Sequence, residues 1–256
     1  MKTRELIIIF LLCLLCRSSF GAELFPAPRD ADERLGEVCS RVWLSATDDE
    51  RRAAYDYTRA VNDFNAPLNG YTSPDYNPAS FVGVGRALLS ERITDLTALI
   101  NRSSYDFDIL AVRGANPVNT AAYFNRSPEF LRKIIDTGDT SALDEYAGKT
   151  NVIPAFVSAA AARGAGYAPV SPIVIYITLP CGSRVLYTEP FTAANTFGPG
   201  LAWDGKSPRR EFGTECEIII NRGGTYRLDG YETDTNLKGK TLILRMTLVG
   251  QKYLRE

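Results

Sequence analysis

The spacing of apolar residues changes partway along this 256-residue chain, and that change narrows the folds open to it. Up to residue 101 the period is helical. Leu35, Val38, Cys39 and Val42 fall on one stripe of residues 31–43, and Ala54, Tyr57, Val61 and Phe64 share a face of residues 51–64. Residues 45–50 supply capping chemistry between the two segments. Residues 67–78, rich in Asn, Pro, Ser, Gly and Tyr, read as a loop. After it, Leu88, Leu89, Ile93, Leu96, Leu99 and Ile100 predict a helix over 84–101. From residue 107 strand spacing takes over. Residues 107–114 alternate loosely, 152–160 predict a strand running into an Ala- and Gly-rich loop, and Ile173-Val-Ile-Tyr-Ile-Thr-Leu179 is the clearest strand of all. A helical stretch over 127–146, opened by Ser127-Pro128, interrupts this run. Residues 225–228 and 241–249 complete the sheet, while 186–197 fit neither period. With no internal repeat and no break in composition, the reading is one α+β domain: N-terminal helices followed by a mostly antiparallel, β-sandwich-like core.

The first residues stand apart. Lys2 and Arg4 precede an unbroken apolar run over 6–16, and Ser19-Phe-Gly21 offers small residues for cleavage. That is the layout of a secretory signal peptide, with a run too short for an ordinary spanning helix, so residues 1–22 are set aside and 23–256 are read as a single domain. Losing the leader removes three basic residues and one acidic residue, which takes the formal net charge from −1 to about −3. Such a chain has no basic field to favour nucleic acid. It contains no His. Catalysis through Ser-His-Asp or Cys-His pairs and His-ligated zinc are therefore excluded, and Cys39, Cys181 and Cys216 are too widely spaced for a C-x-x-C metal site. In an oxidising compartment two of those three could pair; the sequence does not say which.

Glu215 and Glu217 run straight into Ile218-Ile-Ile220. In a strand, a separation of two puts both carboxylates on one face and turns Cys216 to the opposite, buried face. Two like charges sharing a wall push their pKa values apart, which gives a site groups with separate acid, base and electrostatic roles.

Four separated features then fall in a telling order: Tyr55-Asp-Tyr-Thr58 in an early helix that runs on to Phe64-Asn-Ala-Pro-Leu-Asn69, Val112-Arg-Gly114 at a strand end, Phe156-Val-Ser158 at another, and Glu215-Cys-Glu217 ahead of Gly223-Gly-Thr-Tyr226. This set resembles the bacterial mono-ADP-ribosyltransferase toxins of the Arg-Ser-Glu class, over roughly residues 35–250. The resemblance implies the fold of that family around an NAD cleft, with NAD as substrate and no metal. It implies that Arg113, with Gly114, binds NAD phosphate, a task suited to a forked and permanently charged donor. Ser158 would orient the catalytic glutamate, Glu217, whose carboxylate stabilises the positive charge that builds on the ribose as nicotinamide leaves. The motif departs from the family at Ala159 and Ala160, where a Thr and a second Ser are missing. Arg163 and Tyr167 occupy the loop that in the family meets phosphate and nicotinamide. Trp203 and Phe212 are candidate aromatic contacts for the target. Glu215 stands at the position that sorts acceptors in the family: Glu goes with arginine targets and Gln with asparagine, because a carboxylate can pair with a guanidinium and take its proton. The expectation is a secreted protein-arginine ADP-ribosyltransferase, a toxin or effector acting on a host protein. Its alternatives are an NAD glycohydrolase and a catalytically silent binding module with the same fold.

Overall fold

The computed structural model describes residues 22, 24–69, 86–191 and 215–252. All of the proposed leader except residue 22, and the loop carrying Trp203 and Phe212, lie outside them. Pro28 opens the first helix, α1 (Pro28–Ser45), where a missing N–H costs nothing, and the Asp30 carboxylate accepts a hydrogen bond from Ala27 N–H at 3.0 Å. Leu35, Cys39 and Val42 form its buried stripe. Thr47 caps α2 (Asp48–Arg59) reciprocally: Glu50 N–H donates to the Thr47 hydroxyl at 3.2 Å, and Thr47 N–H donates to the Glu50 carboxylate at 2.8 Å.

The single helix expected over 51–64 is broken. Ala60 leaves helical geometry (φ −136°, ψ 43°) and α3 (Val61–Leu68) starts after it. The reason lies in packing. Tyr57 and Phe64 would sit roughly 10 Å apart along an unbroken helix. With the break, their rings meet edge to face at 5.4 Å and Tyr57 also reaches Phe156 at 5.5 Å.

Next comes α4 (Arg86–Asn101), which buries Leu89, Ile93, Leu96, Leu99 and Ile100 as its spacing predicts. Charges fix α2 against it. Arg92, almost fully buried, faces Asp49 at 3.2 Å, Asp95 at 3.6 Å and Asp56 at 3.7 Å. Arg102 grips both oxygens of Glu50 at 2.6 Å. Burial opposes ionisation of Glu50, yet the bonds from Arg102 and Thr47 outweigh it and hold the carboxyl below its ordinary range.

The strands are β1 (Ile109–Ala115), β2 (Thr150–Ile153), β3 (Val157–Ala160), β4 (Ile173–Leu179), β5 (Val185–Tyr187), β6 (Glu217–Ile220), β7 (Gly224–Asn236) and β8 (Gly239–Gln251). Short helices α5 (Pro117–Ala121) and α6 (Pro128–Thr137) follow β1; Gly138, at φ 77°, stops α6 well before residue 146, and a 3-10 turn (Ser141–Tyr146) completes that stretch. Among the described residues the strands hydrogen-bond in the order β2-β7-β8-β4-β1-β3-β6-β5. All neighbours are antiparallel except β4 with β8. The result is the expected α+β arrangement of helices followed by a mostly antiparallel sheet.

One joint in this order matters for function. β1 pairs with β4 along its whole length but meets β3 only at Val112 and Ala160, so the sheet parts there. The strand expected over 152–160 is in fact two, β2 and β3, placed far apart in the sheet order. Pro154 cannot donate to a ladder. Beyond it the Asn65 side chain from α3 takes over, accepting from Phe156 N–H and donating to Phe156 C=O, both at 3.1 Å. The β7–β8 hairpin runs further than its apolar pattern, since none of residues 229–236 is buried and nothing there demands alternation.

Glu50 both caps α2 and ties it to the residue after α4. Glu50→Ala is expected to cost about 2 kcal/mol and to lower the melting temperature by about 4–8 °C at pH 7. Because the folded state holds this carboxyl below its ordinary value of 4.5, the difference should close as pH falls through the acid range. Thermal melts of both proteins at pH 7 and pH 3 check this; a cost that is the same at both would count against the ion pair.

Candidate active site

Where β1 and β3 separate, a cleft of about 430 Å³ opens between the sheet and the α2–α3 corner. Arg113, Gly114, Ser158, Tyr167, Glu215 and Glu217 all line it. Positions some hundred residues apart in the chain are thus brought to one wall.

The glutamate pair reaches the cleft by a different route from the one a plain strand would take. β6 begins only at Glu217, and Cys216 before it has left-handed backbone geometry (φ 46°). Its side chain is fully buried, as the alternation predicts, and its carbonyl accepts from Ala161 N–H at 2.9 Å. The buried thiol and the left-handed turn together aim Glu215 and Glu217 into the same space. Cys39, Cys181 and Cys216 are all thiols in the structure.

Glu217 lines the cleft and is half-buried there. Burial pushes its pKa up to about 7; a hydrogen bond from the Ser158 hydroxyl pulls the other way, the Glu215 charge adds to the rise, and Arg113 and Thr188 oppose it. Thr188 holds the same residue from the far side, its hydroxyl donating to the Glu217 carbonyl at 3.2 Å and lying 3.5 Å from the carboxylate. Ser158 in turn is 3.0 Å from the Tyr57 hydroxyl. Tyr57 is fully buried, and burial followed by the Glu217 charge pushes its pKa up to about 12, so it stays neutral. An ionised Glu217 only accepts, which makes Ser158 the donor to it and leaves Tyr57 to donate to Ser158. A chain of hydroxyls from helix α2 therefore orients the carboxylate.

Arg113 crosses from β1 to donate to the Ser158 carbonyl at 2.6 Å, which bridges the parted strands. Gly114 serves close approach: a Cβ there would lie 2.4 Å from Ser171 Oγ and 2.8 Å from Tyr167 O, so only glycine lets the Tyr167 turn pack on β1. That turn carries Tyr167, 69% exposed, at the cleft mouth. Arg163 is exposed and stands outside the cleft wall, its N–H donating to Phe25 O at 2.7 Å. Ala159 and Ala160 are buried beside Ser158, and Ala160 packs where Gly166 comes close. Among the described residues no cluster of His, Cys, Asp or Glu is able to hold a metal ion.

Sequence reasoning missed three members of this arrangement. Tyr57 and Asn65 both lie in quoted motifs, yet Tyr57 carries the helical spacing of an ordinary core aromatic. Thr188 falls in a segment with no readable period, and nothing in the sequence marks it.

The raised pKa has a stability consequence with a definite sign. Below pH 4.5 Glu217 is protonated folded or unfolded and costs nothing; as pH climbs from 4.5 to about 7, the unfolded chain gains by ionising this carboxyl while the folded state still holds its proton, so stability falls. At pH 8 that penalty is about 3 kcal/mol. Glu217→Gln should therefore raise the melting temperature more at pH 8 than at pH 4.5, and thermal melts showing an equal shift at both would contradict the assigned environment.

A model of the ADP-ribosyltransferase exoenzyme family matches residues 20–250. Comparison with curated protein sequences gives no match. Among solved structures, the C3 exoenzyme of Clostridium limosum superposes with a TM-score of 0.65 at 18% identity, covering 91% of this chain and 99% of that one. C3stau2 from S. aureus, solved with NAD, gives 0.63 at 15% identity over 90% of this chain and 99% of that one. BECa, the ADP-ribosylating toxin of a binary enterotoxin of C. perfringens, solved with NADH, gives 0.67 at 18% identity over 89% of this chain and 50% of that one. With the family model spanning nearly the whole sequence and the same fold around the cleft, the chain belongs to the ADP-ribosyltransferase exoenzyme family.

Proposed function

We propose that the protein is a secreted protein-arginine mono-ADP-ribosyltransferase, a toxin or effector that transfers ADP-ribose from NAD to an arginine of a host protein. The observation that carries this reading is the pair of carboxylates in one cleft. Glu217 is half-buried and oriented by hydroxyls, and Glu215 stands two residues away on the same wall. Secretion is supported by the basic, then apolar, then small-residue pattern of residues 1–22.

The chemistry follows from what each group can do. The glycosidic bond between the nicotinamide nitrogen and ribose C1′ breaks, and nicotinamide departs with the bonding electrons. Positive charge then builds on C1′ and the ring oxygen. A carboxylate fixed beneath the ribose at its 2′-hydroxyl stabilises that charge without having to reorganise, and Glu217, held through Ser158 and Tyr57, is placed to do so. Arg113, permanently charged, suits the diphosphate. A guanidinium nitrogen of the target forms the new bond to C1′ and gives up a proton. Glu215 can pair with that guanidinium and accept the proton, which an amide at the same position could not do. Tyr167 at the mouth, and Trp203 and Phe212 outside the described residues, are the aromatic candidates for contact with nicotinamide and target. If water takes the place of the guanidinium, the same groups make an NAD glycohydrolase.

The test is nicotinamide release from NAD with and without agmatine as a free guanidinium acceptor. Transfer to agmatine should be lost in Glu215→Gln while hydrolysis survives, and Glu217→Ala should lower both by at least about a hundredfold. Hydrolysis without transfer in the wild type would favour the glycohydrolase. If neither reaction is detected, Ala159 and Ala160 mark a silent binding module. Because only ionised Glu217 can stabilise the ribose charge, kcat/KM for NAD should climb about tenfold per pH unit below pH 7 and level off above it. A flat profile between pH 5 and 7 would remove Glu217 from that role.

A further inference from the structure

The loop between β3 and the Tyr167 turn is held by a residue from the start of the chain. Phe25 N–H donates to Ala161 O at 3.2 Å, and Arg163 N–H donates to Phe25 O at 2.7 Å. The two segments run parallel around Ala162, in a bridge that belongs to no named strand. Pro26 follows Phe25, and the residue before a proline is pushed to extended backbone, the geometry such a bridge requires. The ring adds a second anchor. It meets Phe107 edge to face at 6.5 Å, and the Arg34 guanidinium from α1 stacks on Phe107 at 4.6 Å.

What the bridge holds matters for the cleft. Ala161, whose carbonyl takes the bond from Phe25, gives its own N–H to Cys216 O at 2.9 Å, and Ala160 before it pairs with Glu217. One residue thus links Phe25 to the turn that presents both glutamates. In the other direction the loop passes through Gly164 (φ 73°) and Gly166 (φ 68°) to Tyr167. Two left-handed glycines leave a chain many conformations, so the loop's own residues do not fix where Tyr167 stands. Its exit is held by Ser171, whose hydroxyl donates to Tyr167 O at 2.8 Å and whose carbonyl accepts from Asn236 at 2.6 Å and from Thr241 at 3.1 Å. Its entry depends on Phe25. A bridge of one residue pair beside a half-buried ring adds little to the fold, so its consequence falls on the loop.

We propose that Phe25 is a positioning residue, which through this bridge fixes the loop carrying Tyr167 at the cleft mouth and so sets the affinity for the dinucleotide. The assignment rests on the reading of NAD as substrate. It gives the start of the chain a part in binding although Phe25 itself does not line the cleft.

The experiment reads the loop and the ligand separately. Phe25→Ala removes the ring, and Phe25→Pro also removes the N–H that bonds Ala161. Trypsin under native conditions cuts after Arg163 only when that residue lets go of Phe25, so the fragment ending at Arg163 reports on the bridge without any ligand. Its rate of appearance should rise about threefold for Phe25→Ala and about tenfold for Phe25→Pro, with melting temperatures within about 3 °C of the wild type. Calorimetric titration with NAD should show Kd rising about fivefold in Phe25→Pro, and in turnover the loss should fall on KM more than on kcat. In a Tyr167→Ala background Phe25→Pro should weaken binding no further, because both act through the same loop. An unchanged cleavage rate would overturn the proposal, as would faster cleavage with NAD affinity unchanged, or losses that add in the double variant. A wild type that binds no NAD would instead sink the NAD reading and the link to affinity with it, while the cleavage rates would still decide whether Phe25 holds the loop.

Discussion

A half-buried carboxylate in a cleft wall can stay ionised near neutral pH only if the groups around it offset the loss of water, and at Glu217 they do so only in part. Its pKa of about 7 measures the remainder. The rest of the molecule is arranged around that compromise. Ser158 reaches the carboxylate from β3, Tyr57 reaches Ser158 from α2, and Thr188 closes in from the segment after β5. Losing any of these would leave the charge less compensated, because in a water-poor site an unmet polar group is costly.

Each of those residues is held in turn by packing that has nothing to do with chemistry. Tyr57 is positioned by its ring contacts with Phe64 and Phe156, which exist because the helix breaks at Ala60. α2 is fixed against α4 by the Arg92 cluster and the Glu50–Arg102 pair. Asn65 clamps the backbone just before β3 and so sets where Ser158 falls. The ion pairs at the rear of the helices and the hydroxyl chain at the front are thus two ends of one scaffold.

The cleft itself is a consequence of sheet topology. β1 and β3 touch at one register pair, and from there the strands diverge, leaving backbone and side chains facing open space. Arg113 spans the gap to the Ser158 carbonyl, which keeps the separation fixed. Cys216 adds a local strain of about 1 kcal/mol in its left-handed geometry, tolerated because its buried side chain and its bond to Ala161 leave the backbone little choice. Strain of this kind is common at functional sites.

Much of this was legible in the residues alone. The 3.6-residue stripes of α1 and α4, the strand Ile173–Leu179 and the glutamate pair ahead of three Ile are local patterns, fixed by which side chains must leave water. The motifs around Arg113, Ser158 and Glu217 also stood out, because as an ordered set they resemble those of the family. The break at Ala60, the division of 152–160 into β2 and β3, the turn at Cys216 and the roles of Tyr57, Asn65 and Thr188 did not. Each depends on a partner far away in the chain, and a local period carries no record of it. The sequence by itself determined the helical or strand period of its longer segments and which residue types could do the chemistry. Only the tertiary structure decided which of them would meet, because contacts such as Tyr57 to Ser158 join positions 101 residues apart and are selected by the packing of the whole chain.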